Sequence, residues 1–383
     1  RCPATLFFLY PHFYVVHPGS VSALKRAGKC GIISKGNLLD SSKIRGCGAP
    51  LVGGAGMRDG LVYAKTEEGL ELPVIDVTSP AFAVRATEEE MAAMLEQFIQ
   101  ESTQRGEMPA ALQQALQNSL FGRALLAASG TFLDGMSTYR LKLGPENLGA
   151  EATAIDKRIA GSFPAFTTRI RMQDMARLLA VGLAVRAGRE PRRVVCMVNI
   201  GGGPGADSWN ALIYLQSEHP DLLARRKIEI AVMDVDERGP AFGAKAVEAL
   251  GGVGAPLEGM GIGFKHFGYE WSETERLRVA LDGLGATQAL CVVSSEGGLF
   301  EYGADEEIVG NLKALHGGTA IDAIVVGSVT REGEAVRASA RANRVATRPR
   351  TMDAFRALAE EGGWVVEEVM ERAFSYNVRM VKR

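Results

Sequence analysis

The chain lacks an excess of charge of either sign: 43 Lys and Arg stand against 45 Asp and Glu, a formal net charge of −2 over 383 residues. Such a balance creates no broad positive field to gather nucleic acid or an acidic membrane surface, so neither partner is expected. Long apolar runs are also missing, and without about eighteen consecutive apolar residues no membrane-spanning helix is expected. Cysteine is scarce, five residues in all (Cys2, Cys30, Cys47, Cys196, Cys291) with no CxxC pairing. Cys196 and Cys291 sit inside apolar runs that resemble buried strands, which suits a reducing, cytoplasmic setting. No group of His, Cys and carboxylate residues has ligand spacing, so no metal is expected. Internal repeats and low-complexity tracts are absent. What is present is ordinary for a globular chain, 46% hydrophobic and 23% charged residues, and its length favours two domains or one domain with a sizeable extension.

The apolar stretch 4–16 follows a single arginine and is broken by Pro11 and His12, a poor core for an export signal. Residues 1–56 are irregular, carry three of the five cysteines and show no sustained periodicity. They are expected to be an extension outside the natural protein, with Met57 as its first residue. The next segment, 70–77 (LELPVIDV), is expected to be extended. Thr87 and Glu90 then form a capping box ahead of Met91, Met94, Leu95, Phe98 and Ile99, which recur at helical spacing. A second helix is predicted from Pro109, a third over 120–128, and a long one over 167–187 that stops at Gly188 with Pro191 beyond. Between the last two, 130–149 mixes turn residues with Tyr139, Arg140 and Lys142, either a plain connector or a segment that reaches over a pocket. Residues 57–190 are thus expected to form a mainly helical lid or substrate region.

From Arg192 the pattern changes to short apolar strands alternating with helices, the signature of a parallel sheet. Strands are predicted at 194–200, 228–233, 263–267, 289–294 and 323–327, with helices at 208–223, 240–250, 273–283, 305–315 and 351–361. Two last strands, 364–372 and 375–382, are too close for a crossover helix and must form an antiparallel hairpin. The expected fold is α/β, with a Rossmann-like, seven-stranded, mostly parallel sheet over 191–383 that ends in an antiparallel hairpin, beside an N-terminal helical lid. The basic stretch 331–350 is expected to be a solvated face, the alternative being a site for an anionic group on a substrate.

The strongest local signal is VVCMVNIGGGPGADS. Here a buried strand runs into Gly201, Gly202, Gly203 and Gly205 just before a helix, and glycine lets backbone approach a ligand without a Cβ between them. Gly201, Gly203 and Ala206 would also satisfy the dinucleotide pattern GxGxxA. The next strand, IEIAVMDVD, ends in Asp234, placed to accept hydrogen bonds from both hydroxyls of a ribose. Val235 and Asp236 follow it, and Asp236 is alternatively a helix N-cap.

On these residues the chain resembles the class I S-adenosylmethionine-dependent methyltransferases over 192–383. Their first motif is matched by Asn199, Gly201, Gly203 and Gly205, and their ribose-binding acid by Asp234. Where the family carries Asp or Glu, this chain has Asn199, whose amide oxygen still accepts a hydrogen bond. The long interval from Gly205 to Asp234 implies an extended first helix, and the terminal hairpin supplies the reversed strand with which that family's sheet ends. The resemblance implies S-adenosylmethionine as cofactor, held by these residues together with Ser294 and Tyr139, and methyl transfer to a small-molecule oxygen or nitrogen.

The fourth strand of the sheet runs into SSEGGLFEYG, at the edge where open α/β sheets carry reacting groups. Glu296 and Tyr302 there, and His266 on the third strand, are the candidate catalytic residues. Glu296 or His266 would remove a proton from the acceptor, although alignment alone can drive methyl transfer. Structural roles for Glu296 and His266 remain open. So do three other functions: transfer or cyclisation of the aminocarboxypropyl arm with release of methylthioadenosine, a nicotinamide-dependent oxidoreductase, and a nucleotide-binding protein without turnover. A homodimer is compatible with the sequence and not required by it.

Overall fold

The computed structural model describes residues 57–383 apart from 104–109, 128–131, 189, 191–192 and 343–346. The expected extension 1–56 lies outside the described residues. Two short strands come first, β1 (Tyr63–Lys65) and β2 (Glu71–Pro73), paired antiparallel. Helices follow: α1 (Glu88–Thr103), α2 (Ala110–Gln117), α3 (Leu120–Ala127), α4 (Gly135–Lys142), α5 (Ala154–Ala160) and α6 (Phe163–Ala187). The alternating part then runs β3 (Val195–Ile200), α7 (Ala206–Glu218), α8 (Pro220–Leu223), β4 (Ile228–Met233), α9 (Arg238–Leu250), β5 (Ile262–Phe267), α10 (Thr274–Gly283) and β6 (Leu290–Ser295). It continues with α11 (Leu299–Tyr302), α12 (Asp305–Gly318), β7 (Ile324–Thr330), α13 (Glu334–Ala342), α14 (Met352–Glu361), β8 (Trp364–Glu371) and β9 (Ser375–Lys382).

The main sheet has seven strands in the order β5-β4-β3-β6-β7-β9-β8, with β9 antiparallel to both of its neighbours and the others parallel. Every residue of β3, β4, β6 and β7 is buried, as expected for strands covered on both faces. Because side chains alternate across a strand, Val195 and Met197 enter one core with Ile230, Val292 and Ile324, while Cys196, Val198 and Ile200 enter the other with Val293 and Val325. The first core is closed by α6, α7 and α9, and the second by α10, α12 and α14.

Local chemistry accounts for the element boundaries. Thr87 and Glu90 make the reciprocal capping bonds that start α1, at 2.8 and 3.2 Å. The long helix begins at Phe163, earlier than the apolar repeat suggests, because Ser162 caps it and Pro164 sits in its first turn. The interval before β4 does not hold one extended helix. It breaks at His219 (φ −144°, ψ 62°), since the residue before Pro220 is driven out of the helical region. The basic stretch is also not simply a solvated face: Arg350 is buried, bonding Asp305 Oδ1 at 2.8 Å and the carbonyl of Gly303 at 2.7 Å.

Helix α6 ties the helical part to the sheet, packing along α7 and across β6, β7 and β9. It comes so close at Gly182 that a Cβ there would lie 2.3 Å from the Ile324 side chain. Buried Asp174 of α6 takes a two-pronged bond from Arg372 (2.7 and 2.9 Å) and one from Asn377 (2.9 Å), which fixes the terminal hairpin against the helix. The extended segment after β2 is clamped from both sides, with Trp209 and Asn210 of α7 bonding the Ile75 carbonyl and the Tyr139 hydroxyl of α4 bonding that of Pro73.

Candidate functional site

The strand order reverses between β3 and β6, and the site forms there, beside the carboxyl ends of β3, β4 and β6. Gly201 leaves β3 with its N–H on the Met233 carbonyl (2.8 Å), so the glycine loop and the residues after β4 start side by side. Gly201 and Gly203 have φ of +64° and +55°, a conformation that side chains disfavour. Gly203 is also squeezed between two helices: a Cβ built on Gly135 of α4 or on Gly239 of α9 would meet its backbone at 2.8 or 2.9 Å. The loop conformation therefore depends on glycines from three distant stretches of sequence.

Asp234 stands beside this loop. One carboxylate oxygen accepts the Gly203 N–H at 2.8 Å and the other the Asp236 N–H at 2.9 Å. Each oxygen keeps capacity for a further hydrogen bond. Burial raises its proton affinity, opposed by these two N–H groups. A cavity of about 410 Å³ opens over the loop, with Gly201, Gly202, Gly203, Asp234, Val235, Asp236, Tyr139, Glu296 and Tyr302 all in its wall. Asp236 has a second task, because its carboxylate also accepts the N–H groups of Arg238 and Gly239 at the start of α9.

Four expected site residues are placed away from the cavity wall. Asn199 is fully buried beneath the loop, where a Cβ on Gly202 would fall 1.4 Å from its Oδ1, and its Nδ2 donates to Asp207. Ser294 is buried beside them, and among the described residues Asn199 Oδ1 has no hydrogen-bond partner. Gly205 starts α7 in the left-handed conformation. The His266 Nε2–H donates to the Asp234 carbonyl at 2.9 Å, so the ring braces the residue after β4. Tyr139 is in the wall, yet its hydroxyl is committed to Pro73 and Ile75 and its ring packs on Phe242 and Trp209.

The catalytic candidate Glu296 lies within a buried charge network that links the helical part to the sheet. Lys142 of α4 donates to its Oε2, and Arg171 of α6 donates Nε to its Oε1 at 2.6 Å. The same guanidinium donates Nη1 to Glu301 Oε1 at 2.7 Å, and the Ser328 hydroxyl reaches that oxygen at 2.7 Å. Burial would raise the Glu296 pKa, but Lys142 and Arg171 outweigh it and hold the carboxyl at about 2. Asp207 goes the other way, pushed up to about 6 by burial and by the charge of Glu296. Tyr302 is held well above the usual phenol range by burial and by Glu301. A carboxylate so firmly ionised is a weak base, so Glu296 is better suited to holding charge than to moving protons.

Phe132, which sequence reasoning passed over, completes the wall beside Trp271 and the candidate Tyr302. Phe132, Trp271 and Tyr302 form an aromatic cluster, with Phe132 centred 6.1 Å from Trp271 and 5.6 Å from Tyr302. A second cavity of about 210 Å³ shares Phe132, Leu133, Thr138, Gly297 and Tyr302 with the first. The first cavity fits an adenosyl cofactor on this chain's own geometry: a backbone cradle that a Cβ would fill, a carboxylate beside it, and an oppositely charged side-chain pair, Lys142 and Glu296, in the same wall.

No protein-family model and no curated protein matches the chain. Similar solved structures include a possible exported protein from Bordetella parapertussis, 19% identical over 80% of this chain and 99% of that one, with a TM-score of 0.50. They also include the pyocyanin biosynthetic protein PhzM, at 17% identity, 78% and 74% coverage and a TM-score of 0.39. A third is the magnesium protoporphyrin IX methyltransferase of Synechocystis with bound S-adenosylhomocysteine, at 15%, 58% and 88%, and 0.39. At such identities the likeness is one of fold. The strand order, with its single reversed strand, is that of the class I methyltransferase fold.

Proposed function

We propose that the chain is an S-adenosylmethionine-dependent methyltransferase acting on an oxygen or nitrogen of a small molecule. The observation that carries this reading is Asp234, a buried carboxylate in the cavity wall whose orientation is fixed by two backbone N–H groups and whose neighbour is the glycine loop. That is the arrangement a ribose diol requires. S-Adenosylmethionine supplies a methyl group already activated on a sulfonium, so holding the acceptor in line provides most of the acceleration.

The chain's residues have clear parts to play. Asp234 would hold the sugar, Gly201 to Gly203 would let the backbone lie against the nucleoside, and Lys142 with Glu296 would face the carboxylate and ammonium of the methionine end. The aromatic cluster of Phe132, Trp271 and Tyr302 would keep water from the sulfonium. A cytoplasmic setting accompanies the proposal, supported by the free, buried thiols of Cys196 and Cys291 on paired positions of β3 and β6.

Calorimetry with S-adenosylmethionine, S-adenosylhomocysteine and NAD⁺ tests the cofactor. Binding of the first two and not of NAD⁺ is expected, and the reverse would make the chain a nicotinamide protein. Where turnover occurs, S-adenosylhomocysteine should accumulate. Methylthioadenosine in its place would assign transfer of the aminocarboxypropyl arm.

A further inference from the structure

We propose that the 210 Å³ cavity is the acceptor site, that it takes an uncharged and largely apolar molecule carrying one protic oxygen or nitrogen, and that Glu301 accepts the proton of that atom as it is methylated. The proposal rests on the methyltransferase reading above. The position of the cavity is the first argument. It shares Phe132, Leu133, Thr138, Gly297 and Tyr302 with the proposed cofactor cavity, so a molecule in one lies against a molecule in the other.

Its chemistry is the second argument. Phe121, Leu125, Leu141, Ile159, Val336 and Phe374 give it apolar walls. Among the described residues its charged lining groups are Arg171 and Glu301, which are joined to each other at 2.7 Å, so their charges compensate each other. Burying an unpaired ion against such a wall is unfavourable, whereas a neutral molecule loses little.

The third argument separates the two carboxylates that share Arg171. Both oxygens of Glu296 are occupied, one by Lys142 and one by Arg171. Among the described residues, the bonds to the Glu301 carboxylate come from Arg171 and Ser328 and both fall on Oε1. Burial raises the proton affinity of Glu301, with Arg171, Ser328 and Lys142 opposing and Glu296 reinforcing that shift. Two neighbouring carboxylates pushed apart in this way divide into a fixed anion and a proton acceptor. In the step itself the acceptor atom forms a bond to the methyl carbon while the carbon–sulfur bond breaks. Its electron pair goes to sulfur, discharging the sulfonium, and the acceptor's proton passes to Glu301 Oε2 and leaves to solvent after product release.

The probe is 4-nitrophenol, added to the full chain saturated with S-adenosylhomocysteine and followed by absorbance across pH. The bound phenol should stay protonated, its apparent pKa raised by about one unit or more, and 4-nitrobenzoate should bind at least about tenfold more weakly. Glu301→Gln should return the apparent pKa toward that of the free phenol. Ala165→Leu and Val336→Phe, which fill the cavity, should each weaken nitrophenol at least about tenfold and leave S-adenosylhomocysteine affinity unchanged, which also shows that the variants are folded. Failure of nitrophenol to bind, binding as phenolate, or indifference to both cavity-filling changes would overturn the site. An unchanged phenol pKa in Glu301→Gln would overturn the role of Glu301. Failure of S-adenosylhomocysteine itself to bind would instead remove the reading on which the proposal stands.

Discussion

The two parts of the molecule supply the cavity wall by different means. After residue 193 the wall is made mainly by short segments at strand ends, 201–204, 234–236, 269–272 and 296–298, each close in sequence to the strand that positions it, joined by Ala206, Tyr302 and Glu307 from helices. Before residue 188 it is made by Phe132, Leu133 and one short helix, α4, whose residues Gly135, Thr138, Tyr139 and Lys142 face the loop. The first kind of wall is local and depends mainly on backbone. The second depends on contacts between residues more than a hundred positions apart, as between Lys142 and Glu296 or Arg171 and Glu301. On the proposed function, cofactor recognition is thus written into a strand–loop–helix motif, whereas the charge network exists only after the two parts have come together.

The comparison is broken most severely by removing the shared guanidinium. Arg171→Met leaves Glu296 with one partner and Glu301 with only a hydroxyl, and loss of one member of a buried ionic network is expected to cost about 3–5 kcal/mol of stability. Denaturant unfolding measures it. A change under about 1 kcal/mol would mean that the network contributes little to holding the two parts together.

A smaller effect sharpens the same contrast through pH. The Asp207 carboxyl has its folded pKa raised from 3.8 to about 6, so the folded state binds this proton more tightly than the unfolded state does. Its contribution to stability is present below the lower value and is lost as pH rises from about 4 through 6. Asp207→Asn should therefore stabilise the protein above pH 6, on the order of 2 kcal/mol, with the gain fading toward pH 4. Glu296 has the opposite sign: its folded pKa lies below the usual carboxylate value, so its contribution is complete above about 4.5 and falls away as pH drops toward 2. A thermal-melting series of the wild type and the Asp207 variant across this range separates the two.

The legible and illegible parts of the sequence follow this division. The parallel strands were predicted within a few residues because each is a short, largely apolar run bounded by turn or helix-start residues, and the final hairpin because too few residues separate its strands. Gly201 and Asp234 were visible for the same local reason. Helix α4 was expected only as part of a turn-rich segment, either a plain connector or a cover over a pocket, since Gly135 and Ser137 mask its helical character. Arg171 gave no signal at all: it is a charged residue in an apolar helical repeat, normally assigned to the solvent side, and only the approach of residues 125 and 130 positions away makes it a buried partner. By their places in the sheet Asn199 was expected at the cofactor and His266 as a base, while the structure uses them to support the loop from below and Asp234 from behind.

The most direct test of the account replaces the carboxylate proposed to hold the ribose and measures nucleoside affinity. Asp234→Ala should weaken S-adenosylhomocysteine about 100-fold in calorimetry, the loss of two charge-assisted hydrogen bonds, while far-ultraviolet dichroism remains that of the wild type. A variant that stays folded and binds S-adenosylhomocysteine as the wild type does would contradict the assignment of this cavity to the cofactor.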